Sequence, residues 1–109
     1  MMALDLSNNK LYFGKNGTWL NSGVPTSGST GTGAVSIIAA NTTNDGVYFF
    51  AQTDDTGTQS PSKFEFNFGN GYFGTTAVSS AGTNASGIGI FEYDVPTGYT
   101  ALSTKGLNL

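Results

Sequence analysis

Neither cysteine nor histidine occurs among the 109 residues, and these two absences remove much of the chemistry available near neutral pH. Without cysteine there are no disulfides and no thiolate metal sites, and the redox compartment is not indicated. Without histidine the usual general base, the Ser/His/Asp relay and the commonest zinc ligand are all missing. Charge is scarce too. Four Lys plus Arg and seven Asp plus Glu make 10% of the chain, against roughly 25% in an average soluble domain. With four cations and a net charge of −3, nucleic acid is not an expected partner, because affinity for phosphates depends largely on Lys and Arg displacing counterions. No stretch approaches the roughly 20 apolar residues of a membrane span, and no basic region followed by an apolar run opens the sequence, so membrane insertion is not expected either.

What the chain does contain is small and polar or large and aromatic. Gly, Thr, Ser and Asn together supply 52 of the 109 residues, a composition suited to turns and strand faces. Eight Phe, five Tyr and one Trp supply material for a core that disordered, low-complexity chains lack. No segment carries an i, i+3, i+4, i+7 apolar stripe over three turns, so no helix longer than two turns is expected. The length allows a single domain, 1–109, since domains commonly run to roughly 100–150 residues.

Two tight turns joining three short alternating runs form the clearest local signal. Met2, Leu4 and Leu6 alternate with Ala3 and Asp5, as a half-buried strand requires. Asn8-Asn9 suits a two-residue turn with positive φ at both centres, which would pair Ser7 with Lys10, Leu6 with Leu11 and Leu4 with Phe13. Asn16-Gly17 is a stronger signal of the same type. It sets Gly14 opposite Trp19 and Phe13 opposite Leu20, with the Trp ring covering a strand glycine that has no side chain to pack. Residues 21–33 are rich in Gly, Ser and Thr and read as a flexible loop. Strands are expected near 34–40, 46–53 and 62–68, the last showing Phe64, Phe66 and Phe68 alternating with Glu65 and Asn67. Core positions are expected at Leu4, Leu6, Leu11, Phe13, Phe49, Phe64, Phe66 and Phe68. Short strands with closely spaced turn signals indicate an all-β sandwich or jelly roll.

The runs Ala3-Leu4-Asp5-Leu6, Asn9-Lys10-Leu11-Tyr12-Phe13 and Lys15-Asn16-Gly17-Thr18-Trp19 resemble the central hairpin of SPRY (B30.2-like) domains. Phe64 to Gly69 resembles that family's penultimate strand. Phe91-Glu92-Tyr93, with Pro96, Gly98-Tyr99 and Ala101-Leu102, resembles its closing segment, and Gly82 to Ser86 and Ser103-Thr104-Lys105 are similar to the version found in phage structural proteins. The resemblance covers most of residues 2–105 and describes strands and turns more than a site. It implies a concanavalin-type, SPRY-like sandwich. The family pattern has further strands before this hairpin and lacks the Gly74–Gly89 stretch, so a partial, C-terminal part of the domain is expected. Its sheet edges would then be completed by upstream residues or by other subunits. The setting implied is a virion component in a multi-copy protein assembly; a soluble, cytoplasmic module that recognises a glycan or a protein is the alternative.

Chemistry has few footholds. Asp54, Asp55, Glu65, Glu92 and Asp94 could form the carboxylate pair of a glycoside hydrolase, but adjacent strand positions face opposite ways and solvated loop acids are the ordinary outcome. Catalysis is therefore not expected. Gly28-Ser-Thr-Gly31-Thr-Gly33 lacks the Lys-Ser/Thr ending and the following helix of a phosphate loop. Asp54, Asp55 and Thr56 lack the twelve-residue alternation of a calcium loop, so no metal and no cofactor is expected. Glycan-acceptor triplets at Asn16, Asn41 and Asn84 arise readily in a chain so rich in Asn and Thr. The aromatic residues remain as partner-contact candidates. Tyr72 and Phe73, between Gly71 and Gly74, read as exposed, Trp19 reads equally as exposed or as core, and Tyr93 and Tyr99 read as core.

Overall fold

The computed structural model describes residues 1–53, 63–80, 87 and 89–102. Among the described residues six strands form in chain order: β1 (Met2–Asp5), β2 (Lys10–Lys15), β3 (Thr18–Trp19), β4 (Val35–Ser36), β5 (Tyr72–Phe73) and β6 (Thr76–Ala77). The helical content of the described residues is three 3-10 segments, Leu20–Ser22, Pro25–Thr30 and Ala40–Thr42. The chain is thus built on strands in open sheets with almost no helix. β2 is the centre of the larger sheet, with β1 on one edge and β3 and β4 on the other. β5 and β6 form a separate hairpin.

Turn chemistry sets the register of the first hairpin, and it does so differently from the two-residue reading. Leu4 pairs with Leu11, and Asp5 with Lys10, leaving a four-residue loop over 6–9. The Asp5 carboxylate accepts from the Asn8 backbone N–H at 3.0 Å and from the Asn8 side-chain amide at 2.8 Å. These bonds close an Asx-type turn, and Asn9 takes φ 56° to re-enter the strand. The same side-chain bond is the main reason that the Asp5 carboxyl sits below its ordinary pKa. Because the slip is two residues, the faces are unchanged. At the second hairpin Asn16 and Gly17 take φ 49° and 80°, as a type I′ turn demands. Gly14 lies opposite Trp19, whose ring covers the bare glycine as expected. The Phe13–Leu20 pair does not form, since Leu20 enters a 3-10 turn and Asn21 and Ser22, at φ 53° and 54°, swing the chain off the sheet.

The buried face of this sheet is the reverse of the expected one. Ala3 and Tyr12 are opposite one another and buried, while their neighbours Leu4 and Phe13 are exposed and Leu11 is half-buried. Leu6 is exposed too. The reason lies in residues 21–33, which form a folded strap rather than a flexible loop. The Val24 N–H donates to the Thr32 carbonyl at 3.0 Å, and Ser27 Oγ accepts from the Thr32 N–H at 2.9 Å while standing 3.3 Å from the Tyr12 hydroxyl. Pro25 is buried, and the Tyr99 hydroxyl donates to its carbonyl at 2.9 Å. Burial, with the nearby Asp5 charge and Tyr12 adding to it, pushes the Tyr99 phenol up to about 12. At Gly33, φ +70°, a Cβ would stand 2.5 Å from the Gly23 Cα and 2.6 Å from the Asn21 carbonyl, so the strap closes only on a glycine.

The aromatic segments behave differently. Of the strands expected near 34–40, 46–53 and 62–68, only Val35–Ser36 joins a ladder, through Leu11 and Lys10 of β2; residues 46–53 and 63–68 pair with no strand among the described residues. Alternation survives without pairing. The rings of Phe64, Phe66 and Phe68 stack along one side at centroid spacings of 6.4 and 6.0 Å. Phe50 sets its edge on Phe66 and Phe68 at 5.0 and 5.5 Å. The cluster is only half covered, its three row members being 42–44% exposed. Phe49 points away and is 82% exposed, which removes it and the Phe row from the buried core. The polar side of the row is structural: Asn67 Oδ1 accepts from the Gly69 N–H at 2.7 Å, and its amide donates to the Ile90 carbonyl at 2.9 Å.

Candidate functional site

The type I′ turn at Asn16-Gly17 brings the β2–β3 hairpin against residues 92–94. With no side chain at Gly17, the Tyr93 ring lies over the turn, its Cε1 3.0 Å from where a Cβ would stand. Trp19 lies two residues on from Gly17 and packs edge-to-face with Tyr12 at a centroid distance of 6.4 Å. Between Trp19 and Tyr93 opens a cleft of about 360 Å³ lined by Met1, Gly17, Trp19, Ser80, Glu92, Tyr93 and Asp94. Tyr93, expected in the core, is 40% exposed, because the strap holds Tyr12 and Tyr99 beneath the sheet while the hairpin tip holds Tyr93 at its rim.

Glu92 fixes the far wall. Its carboxylate accepts from the Ser79 N–H at 2.7 Å, from the Ser79 hydroxyl at 2.5 Å and from the Ser80 N–H at 3.4 Å. The Ser79 hydroxyl is the chief cause, and its backbone N–H the next, of a Glu92 pKa below the ordinary carboxylate value. The stretch is tethered at its other end by the Val78 N–H, which donates to the Gly71 carbonyl at 3.0 Å.

Of the three partner-contact candidates, only Trp19 lines this cleft. It is half-buried. Tyr72 is 48% exposed, in line with its reading, whereas Phe73 is half-buried on the same hairpin, and neither lines the cleft. Sequence reasoning missed Glu92 and Ser79 as a structural pair because thirteen residues separate them and no turn signal links them. Among the described residues no three acidic side chains converge as metal ligands would. The pair Asp54-Asp55 with Thr56, the Asn84 triplet, Gly82 to Ser86 and Ser103-Thr104-Lys105 lie outside the described residues. Gly28 to Gly33 belongs to the strap, with no α-helix after it.

Comparison of the chain with protein families, with characterised proteins and with solved structures finds no match.

Proposed function

We propose that this chain is a non-catalytic interaction domain, a SPRY-like sandwich in part, that works inside a multi-copy protein assembly. A phage virion is the setting that its sequence resemblance implies. The observation that carries the reading is the open apolar face of the β1–β2–β4 sheet. Met2, Leu4, Phe13 and Val35 stand on it at 40–50% exposure, on the side opposite the strap. Protein surfaces that leave contiguous apolar patches uncovered are commonly interaction sites. Covering four such side chains from half-exposure to burial contributes about 1 kcal/mol each, comparable in sum to much of the stability of a small domain. Neutral Thr- and Asn-rich edges offer little charge repulsion against strand addition by a neighbour.

The test is sedimentation and thermal melting of the 109-residue chain by itself. Concentration-dependent assembly, or a melt that becomes cooperative only as the chain associates, is the expected result. A monodisperse monomer with a sharp melt overturns the reading.

A further inference from the structure

We infer that the cleft between Trp19 and Tyr93 is a receptor for an organic cation, namely the lysine or arginine side chain of a partner protein. Two aromatic rings and two carboxylates line a volume of about 360 Å³ with no lysine or arginine among the lining residues. Aromatic faces attract cations through their quadrupole, Trp most strongly, and the carboxylates of Glu92 and Asp94 add negative charge at the same rim. Met1 also lines the cleft, and its α-ammonium donates to the Gly14 carbonyl at 2.6 Å and makes no ion pair with either carboxylate among the described residues.

Aromatic and acidic residues also line sugar sites, and the Glu92 bonds decide between the two. A carboxylate offers about four lone-pair sites, and three are taken by Ser79 and Ser80. Little of the Glu92 acceptor capacity is left for sugar hydroxyls. The charge is not spent in the same way, because neutral N–H and O–H donors polarise a carboxylate without cancelling it. A cationic ligand that also stacks on a ring face draws on that field, which a neutral sugar does not. The guanidinium group satisfies both, being planar, weakly hydrated and able to stack.

Trp19 is the single tryptophan of the chain, so its fluorescence reports the site directly. Titration of the full chain with acetyl-Gly-Arg-Gly-amide should give a saturable change in the millimolar range. The citrulline peptide, equal in shape but neutral, should bind at least fivefold more weakly. Asp94→Asn and Glu92→Gln should each weaken the arginine peptide about two- to fivefold, as exposed ion pairs do. Asp94→Asn leaves the Ser79 tether intact, so it keeps the test valid where Glu92→Gln disturbs the fold. Equal binding of the citrulline peptide or of methyl glucoside, no saturation, or indifference to Asp94→Asn would overturn the assignment. Stronger binding of tetramethylammonium than of the arginine peptide would assign a small free cation and overturn the partner side chain. The assembly reading supplies the partner, but the titration does not depend on it. A monomeric chain that binds the peptide would sink the assembly alone, and an assembling chain that ignores the peptide would sink this site alone.

Discussion

Residues 2–20 and 63–68 alternate large apolar with smaller or polar side chains, and 46–53 is a continuous apolar and β-branched run, yet of these only the first region closes into a hydrogen-bonded sheet among the described residues. The first region carries its partners nearby: Asp5 to Asn9 and Asn16-Gly17 return the chain within four residues or fewer, at a small cost in loop closure. The second carries side chains fit for a strand, and among the described residues no strand lies beside it. Its rings stack, at 6.0–6.4 Å along the row, while its backbone pairs with no strand among the described residues. Strand propensity therefore selects conformation, and turn chemistry or another polypeptide selects pairing.

The difference can be broken first at Tyr12, the one large side chain fully buried among the described residues, at 1% exposure. Tyr12→Ala should cost about 4 kcal/mol, the scale for truncating a buried aromatic, read as a lower urea midpoint. Tyr12→Phe should cost about 1 kcal/mol or less, because only the contact with Ser27 is lost. Gly33→Ala should cost about 3 kcal/mol through overpacking and an unfavourable positive φ, releasing the strap; faster amide exchange at Thr32 and Ser27 would locate the damage. By contrast Phe66→Ala, in the half-covered row, should cost about 1–2 kcal/mol, and Phe49→Ser less than about 0.5 kcal/mol. An equal loss at Phe66 and Tyr12 would erase the distinction between the two regions.

Titration sharpens the same contrast with smaller effects, both confined to the first region and its strap. Asp5 has a lowered pKa in the folded chain, so its stabilisation is present above the ordinary carboxylate value of 3.8 and is lost as pH falls through the folded value. Asp5→Asn should flatten that acid limb of the stability curve. Tyr99 is raised from 10.0 to about 12. Its contribution is complete below pH 10 and disappears as pH rises to about 12, because the unfolded chain ionises first. Tyr99→Phe should remove this alkaline loss, monitored by the phenolate absorbance near 295 nm.

Much of the hairpin region was legible in the residues themselves. Asn16-Gly17 specified its turn, Gly14 its pairing with Trp19, and the absence of helical stripes the strand-based character, because each depends on φ/ψ preferences within a few positions. The Asn8-Asn9 turn was visible, but its length was settled by the Asp5 carboxylate, whose choice between solvent and the Asn8 amide is a matter of geometry. The candidate site was legible only at Trp19. Tyr93 reads as core and stands at the rim instead, and Glu92 meets Ser79 thirteen positions away in the chain.

Local sequence alone determined the strand-and-turn vocabulary, the lack of α-helix among the described residues and the two hairpins. Which face of the sheet is buried was decided by tertiary structure: Met2, Leu4, Leu11, Phe13 and Val35 make the more apolar face, yet a strap of Gly, Ser, Thr and Pro closed by Gly33 and held by Tyr99 chose the Tyr12 side. That choice depends on the fit of a distant segment, which no period of two or preference for a turn can encode, because alternation states that two faces differ and is silent on which one meets the rest of the chain.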